Sequence, residues 1–334
     1  MIKIRRIIAI TMAAVLAALC GCGKKAAAEP AKAASETITG MVTATFNRED
    51  YQVTKEPEYT ESSEVVFSDA EDPNAYEAHI TEITYRDDAI RIGIDFSNHS
   101  DKPCLVAAGD LFVNGYEISA AFSKTVEAGA SESFSKTVYA YEFNAEEICQ
   151  VTVNLELFEV EKKKTHYAEK PMEVIRCTAV TDKAASYEFK GRKDKDTDIV
   201  IEDNPDQKVV LIGKQFEEYY DGDEALYLYF YIENRTDNQI YYFFDDIRVN
   251  GQRAGDEETD GTWDFFCSPH KAKIEYIPYH AEKSFFERNE DFRVTAVLST
   301  NSAEAEKSFN DKNRWVHKTI EDLFVKNINV NMVK

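Results

Sequence analysis

Residues 89–98, AIRIGIDFSN, and residues 225–234, ALYLYFYIEN, carry the main structural signal of this chain. In each stretch an apolar residue occupies every second position, which is the period of a β-strand with one buried face. Each stretch leads, after a polar turn, to the tripeptide Val-Asn-Gly, at residues 113–115 and 249–251. Asn-Gly favours a two-residue hairpin whose residues have positive φ. We therefore expect β-structure with a hairpin at the same place in both halves.

The two stretches belong to a longer internal repeat. Residues 84–115 align without gaps with residues 220–251, and eight of the 32 positions are identical, where average composition gives about two. The identical pairs are Asp87/Asp223, Ala89/Ala225, Asn98/Asn234, Asp101/Asp237, Asp110/Asp246, Val113/Val249, Asn114/Asn250 and Gly115/Gly251. We predict a duplicated antiparallel β-sandwich of about 100 residues, with copies at residues 76–175 and 207–305.

The N-terminus predicts export and lipid attachment. Three basic residues among the first six precede an apolar run at residues 7–19, which is shorter than the roughly 20 residues that span a bilayer as a helix. The run ends in Leu-Cys-Gly-Cys at residues 19–22, which resembles the lipobox of bacterial lipoproteins. The resemblance implies that residues 1–21 are a signal peptide and that Cys22 is lipidated. It also implies an extracytoplasmic protein anchored to the cell membrane.

The remaining segments are assigned by composition. Residues 22–36, rich in Ala, Glu, Pro and Lys, are expected to form a linker between the anchor and the folded body. Residues 37–75 form an N-terminal extension, either strands or a stalk. Residues 176–206 connect the repeats, and residues 306–334 form a tail that is either a helix or a last strand.

The charge of the chain excludes one class of partner. Its formal net charge is -22, and removal of residues 1–21, which carry three positive charges and no negative one, leaves -25. A surface this acidic repels phosphate backbones. Nucleic acid is therefore not expected to bind, and neither is anionic lipid beyond the anchor.

The repeated turn motif resembles a known family. An alternating strand that ends in Asn-x-Ser/Thr-Asp, at residues 98–101 and 234–237, is followed by the Val-Asn-Gly hairpin. This combination is similar to tandem domains of Gram-positive envelope lipoproteins of unknown function. The resemblance implies two immunoglobulin-like domains and an envelope location, and it implies no activity.

Motifs for metal binding and catalysis are incomplete. Asp194, Asp196 and Asp198 have the spacing that begins a calcium loop, but the Gly and Glu that complete such a loop are missing, which favours a solvated loop. Ser133 and Lys136 match a bare Ser-x-x-Lys spacing, but they lie in a strand-like run. We predict no catalytic residue, metal site or cofactor. The pair His166 and Glu169 is the nearest approach to a ligand set.

Four cysteines lie outside the signal and the anchor: Cys104, Cys149, Cys177 and Cys267. The second repeat has Ile240 and Phe292 where the first has Cys104 and Cys149, so its core is built without either thiol. We expect buried free thiols. A disulfide between Cys104 and Cys149 is the alternative that an exported location allows.

The second repeat differs from the first on one face of its alternating strand. Tyr227, Tyr229 and Tyr231 stand where the first repeat has polar or small residues. They either pack against another part of the chain or contact a partner, such as an envelope protein, a peptide or a glycan. We predict a non-enzymatic binding or scaffolding module. The alternatives are the solute-binding lipoprotein of a transporter and an envelope hydrolase with an unrecognised site.

Overall fold

The computed structural model describes residues 36–53, 57–69, 72, 75–86, 88–120, 122–144, 147–160, 170–218, 223–253, 263–304 and 318–334. Over these residues the chain is nearly all β-structure, with two short α-helices. This confirms the predicted all-β sandwich fold. Two strands precede both sandwiches: β1 (Glu36–Val42) and β2 (Thr60–Ser68).

The first sandwich consists of two facing sheets. Its elements are β3 (Tyr76–Arg86), β4 (Ala89–Asn98), β5 (Cys104–Val113), β6 (Tyr116–Ile118), β7 (Ser123–Val126), β8 (Ser131–Tyr139), helix α1 (Ala140–Phe143), β9 (Gln150–Glu159) and β10 (Glu173–Val180). One sheet has the order β3-β4-β8. In the other, β5 pairs with β6, β7 and β9, and β9 pairs with β10.

The second sandwich has the same pairing order. Its elements are β11 (Ile199–Asp203), β12 (Gln207–Glu218), β13 (Asp223–Asn234), β14 (Gln239–Val249), β15 (Gln252–Arg253), β16 (Trp263–Cys267), β17 (Ala272–Glu282), helix α2 (Lys283–Glu287), β18 (Asp291–Glu304) and β19 (Lys318–Val333). Strands β12-β13-β17 match β3-β4-β8, and β14 pairs with β15, β16 and β18, while β18 pairs with β19. The tail therefore ends as a strand, one of its two predicted alternatives.

Two asparagines shared by the repeats hold the turns that follow β4 and β13. Asn98 and Asn234 are buried, with 0% and 1% of their surface exposed. Nδ2 of Asn98 donates to the carbonyl oxygen of Lys102 at 2.8 Å, and Nδ2 of Asn234 donates to that of Asn238 at 2.7 Å. A buried amide that satisfies the turn backbone explains why both turns use this residue.

The predicted Asn-Gly hairpins are confirmed. Asn114 and Gly115 have φ of 51° and 82°, and Asn250 and Gly251 have φ of 50° and 82°. They join β5 to β6 and β14 to β15. Positive φ at both central residues matches the twist of the flanking strands, which is the physical reason for the Asn-Gly pair.

Residues 36–68, which we call the strap, pair with both sandwiches. Strand β1 is parallel to β19 of the second sandwich, and β2 is antiparallel to β10 of the first. Between them, the Phe46 N–H donates to the Lys214 carbonyl at 2.7 Å, and the Lys214 N–H donates to the Ala44 carbonyl at 3.1 Å. The extension predicted at residues 37–75 thus contains strands, and each adds to the edge of a different sandwich.

The apolar residues form two main cores. One lies between the sheets of the second sandwich and includes the alternating residues of β13 that begin with Leu226. The other fills the first sandwich and continues onto the outer face of β12, β13 and β17. The sheets also meet directly, because β6 pairs in parallel with β17 through Tyr116 and Ala272. The sandwiches therefore share one continuous apolar contact.

Candidate functional site: the seam between the sandwiches

The outer face of β12, β13 and β17 packs against the strap and the first sandwich, and we call this contact the seam. Tyr227, Tyr229 and Tyr231 all lie in it, with 8%, 0% and 0% of their surface exposed. These side chains form no exposed patch, so partner contact, one of the two alternatives, does not describe Tyr227, Tyr229 and Tyr231. The alternative interpretation, packing against other parts of the chain, describes these three residues.

Tyr229 is held mainly by the strap. Its ring stacks on Phe46 with centroids 3.8 Å apart and an interplanar angle of 13°. Its hydroxyl accepts from Nη2 and Nε of Arg48, at 2.6 and 3.1 Å, and donates to Oε1 of Gln215 at 2.9 Å. Burial raises the pKa of Tyr229 to about 12, against the opposing effect of Arg48. The hydroxyl therefore stays protonated and acts as a structural hydrogen-bonding group.

Tyr231 is held by the connection between the sandwiches. Its hydroxyl accepts from the backbone N–H of Arg192 at 3.1 Å and donates to Oε2 of Glu233 at 2.8 Å. Burial is the main cause that raises its pKa far above the ordinary value. Gly191 lies against the Tyr231 hydroxyl and Glu233, and its φ is +66°. A Cβ there would be 2.6 Å from Oε2 of Glu233. Glycine is needed at this position for both conformation and space.

The connection also contains a buried ion pair. Nη1 and Nη2 of Arg192 donate to the two carboxylate oxygens of Asp198, at 2.5 and 3.0 Å, and these side chains are 4% and 1% exposed. The interpretation of Asp194, Asp196 and Asp198 as a solvated loop is therefore wrong for Asp198. Asp194 pairs with Lys208 at 2.8 Å. Two of the three carboxylates with calcium-loop spacing, Asp194 and Asp198, thus have cationic partners. Over the described residues, no group of His, Cys, Asp or Glu side chains is arranged to hold a metal ion.

A second charged group lies where β6 meets β17. Nζ of Lys273 is 3.0 Å from Glu275 and 3.7 Å from Glu117, and the backbone N–H of Ser268 donates to Glu117 at 2.7 Å. Burial disfavours the charged form of Lys273, but the two carboxylates outweigh it and raise its pKa. Each of these charged side chains has a partner within the seam, which suits a permanent contact between the sandwiches.

The seam reaches the surface at an aromatic rim. Tyr139 and Tyr276 are 38% and 39% exposed. Tyr139 stacks on Tyr141 at 5.8 Å, Tyr276 lies 5.8 Å from Tyr229, and the Arg48 guanidinium lies 5.3 Å from the centre of the Tyr141 ring. The sequence does not predict this rim, because its residues come from the strap, β8, α1 and β17.

The remaining predicted features have plain structural roles or lie elsewhere. Ser133 is exposed on β8 and donates to Asp95 at 2.7 Å, as expected for a surface strand residue. Cys22, His166 and Glu169 lie outside the described residues. None of the described helices is both long and apolar enough to cross a bilayer.

All four predicted thiols are free and buried. Cys104 lies opposite Glu159, whereas Cys149 precedes the other end of β9, where Val151 pairs with Val113. Ten residues of strand separate the two ends, about 33 Å at the usual rise, and a disulfide needs Cα atoms within about 7 Å. The alternative Cys104–Cys149 bridge is therefore wrong, and burial raises the pKa of Cys104 to about 12.

A partly buried carboxylate on the outer face of β9 gives a prediction about pH. Burial and then Asp110 raise the pKa of Glu156 to about 7, from an ordinary value of 4.5. Between about pH 4.5 and 7, the folded protein therefore binds a proton that the unfolded chain releases. This group lowers the free energy of unfolding progressively over that range, and its full destabilising effect is present above about pH 7. We expect Glu156→Gln to stabilise the protein at pH 8 and to have little effect at pH 4.5.

The measurement is urea unfolding of both proteins at the two pH values. Glu64→Gln is the control, because Glu64 is an exposed carboxylate on β2, two strands away, with its side chain 65% exposed. An equal effect of Glu156→Gln at both pH values would contradict the prediction.

Comparisons with known proteins place the chain in no family. No family model matches it, and neither does any curated protein. Among solved structures, red sea bream transglutaminase is 8% identical with a TM-score of 0.20, and the match covers 78% of this chain and 32% of that one. Bacteroides uniformis beta-glucuronidase 2 is 8% identical with a TM-score of 0.23, covering 82% and 32%. A putative beta-galactosidase from Bacteroides fragilis is 11% identical with a TM-score of 0.20, covering 70% and 32%.

The chain thus spans about a third of the length of these structures. At such identities and TM-scores, the similarity carries no argument about activity. Any functional proposal has to come from the residues of this chain.

Proposed function

We propose that this protein is a lipid-anchored component of the cell envelope that acts as a non-enzymatic binding or scaffolding module. The observation that carries the proposal is the pairing of the strap with both sandwiches. The strap is the part of the described chain nearest to Cys22. A load or a partner on either sandwich is therefore connected to the anchor through paired strands.

The segment between Cys22 and the strap sets how far the body extends from the membrane. A flexible chain of about 15 residues, the length of the linker predicted at residues 22–36, has an average end-to-end distance of about 20 Å and a maximum of about 50 Å. The body is thus confined to a shell close to the bilayer. Confinement of this kind raises the effective concentration of the module towards other envelope components.

The proposal includes a duplication of one sandwich. The equal pairing order, the buried Asn98 and Asn234 and the two Asn-Gly hairpins support it. In this interpretation the second copy exchanged a solvated face for the tyrosines of the seam. The duplication therefore joined two immunoglobulin-like units into one body.

Replacement of the anchor cysteine tests the location. We expect Cys22→Ser to abolish incorporation of labelled fatty acid and to remove the protein from the membrane fraction, because serine cannot form the thioether to a diacylglycerol. Cys20→Ser is the matched control and should still be labelled. Continued labelling of Cys22→Ser would contradict the proposed anchor.

For contact with a partner, we propose the aromatic rim. Tyrosines with an apolar body and a polar tip suit an envelope protein, a peptide or a glycan. We expect the double variant Tyr139→Ser/Tyr276→Ser to lose capture of its partner in crosslinking from envelope preparations, with an unchanged circular dichroism spectrum. Phe266→Ser is the control, since Phe266 is also aromatic and 37% exposed but lies on β16 in the other sheet. Equal capture by the double variant and the wild type would contradict the rim as the contact.

A further inference from the structure

We propose that the cleft where the strap crosses β12 binds a ligand with one compact anionic group, a carboxylate or a phosphate, joined to a flat apolar portion. The cleft is open to solvent and has a volume of about 540 Å³. Its lining residues are Thr45, Phe46, Asn47, Lys214, Gln215, Phe216 and Lys334. This volume lies in the range of small-molecule sites, about 300–1,000 Å³.

Lys214 is the central residue of the cleft. It is only 6% exposed, and over the described residues its Nζ has no hydrogen-bond acceptor and no carboxylate partner. Burial alone lowers its pKa, with no charged neighbour to compensate. A desolvated ammonium without a counter-ion is unfavourable. An anion in the cleft would supply the missing partner.

A second ammonium lies beside the same aromatic ring. Nζ of Lys214 is 5.9 Å from the centre of the Phe216 ring, and Nζ of Lys334 is 5.7 Å from it. Lys334 pairs with Glu224 at 2.8 Å. Because Lys334 is paired, Lys214 is the lysine of this cleft that lacks a carboxylate partner among the described residues. In a chain with a net charge of -22, an unpaired ammonium of this kind is a local site for a single anionic group.

The walls of the cleft define the rest of the ligand. Phe216 provides apolar surface, while Asn47 and Gln215 carry amides and Thr45 carries a hydroxyl. A flat apolar group can pack on Phe216 while its acid group reaches Lys214. The ligand class is therefore an aromatic or unsaturated acid, or a phosphate ester of similar size.

Binding at this place is coupled to the strap. The backbone of Lys214 exchanges hydrogen bonds with Ala44 and Phe46, so the cleft exists only while the strap is docked on β12. A ligand that binds the docked form alone stabilises it by mass action. We therefore infer that an anion strengthens the attachment of the strap to the second sandwich.

The test uses the mature protein with four probes: benzoate, phenyl phosphate, inorganic phosphate and, as the reference at equal ionic strength, chloride. We expect a saturable rise of about 2 °C or more in the thermal midpoint with benzoate or phenyl phosphate. Lys214→Gln should weaken binding by more than about tenfold. Lys183→Gln, at an exposed lysine that pairs with Glu147, should leave binding unchanged. The probe with the lower dissociation constant identifies the acid group.

A second measurement avoids any variant that fails to fold. Lysine acylation of the wild-type protein, followed by peptide mass spectrometry, should show Lys214 protected at least about fivefold by saturating probe, with Lys183 unaffected. The proposal is overturned if no probe gives a saturable shift, if the shift persists in Lys214→Gln, or if Lys214 is not protected.

Discussion

Asp198→Ala is expected to destabilise the protein by about 3–5 kcal/mol, because it leaves the guanidinium of Arg192 buried without its counter-ion. In the native protein both side chains are almost fully buried and joined by two hydrogen bonds. Asp198 also accepts the backbone N–H of Lys195 at 2.6 Å. The change therefore removes the ion pair and a backbone contact of the connection together.

Urea unfolding measures the free-energy change, and an exposed ion pair is the control. Lys183 and Glu147 also form an ion pair, but their side chains are 52% and 51% exposed. Glu147→Ala should therefore cost less than about 1 kcal/mol. The double variant Arg192→Met/Asp198→Ala should recover part of the loss, because it removes the unpaired charge. A cost below about 1 kcal/mol for Asp198→Ala would show that the connection is solvated after all.

Phe46→Ala is expected to release the strap and to cost about 3–5 kcal/mol, the usual range for a buried phenylalanine. Phe46 is 4% exposed, stacks on Tyr229 and Tyr51, and meets Tyr141 edge to face. The substitution would leave a cavity where the strap, the first sandwich and the second sandwich meet. Both the free energy of unfolding of the protein and the protection of the strap amides against hydrogen exchange should fall.

Unfolding in urea and hydrogen exchange of β1 and β2 measure these two effects. Met41→Ala is the matched control, because Met41 belongs to the same strap but is 50% exposed, and a surface change of this kind usually stays within about 0.5 kcal/mol. Phe46→Leu should lie between the two, since it keeps most of the apolar volume. Similar costs for Phe46→Ala and Met41→Ala would contradict the role of the strap as a connection.

Both predictions depend on burial by segments distant in the chain, which explains why sequence reasoning missed them. Asp198 was assigned to a solvated loop because its calcium-loop motif is incomplete. Burial of the pair depends on Tyr231, which receives the backbone of Arg192. Phe46 lies in a segment of irregular pattern, so periodicity gave no sign that it is buried.

The tyrosines of β13 also combine a feature that the sequence predicts with one that depends on tertiary packing. Their alternation correctly predicted which face each side chain occupies, because side chains of a strand point to opposite faces. Alternation does not say what covers a face. The strap, α1 and the connection cover this one, and they come from residues about 40 to 180 positions away in the chain.

The local sequence was sufficient to predict the strands, the Asn-Gly hairpins and the turns that contain the buried asparagines, because each depends on the conformational preferences of a few adjacent residues. It was also sufficient to expect free thiols, since the second half has Ile240 and Phe292 where the first half has Cys104 and Cys149. The pairing of the strap, the burial of the Arg192–Asp198 pair and the cleft at Lys214 arise from packing between distant segments. Burial and the loss of solvent depend on which surfaces meet, and local sequence patterns carry no information about that choice.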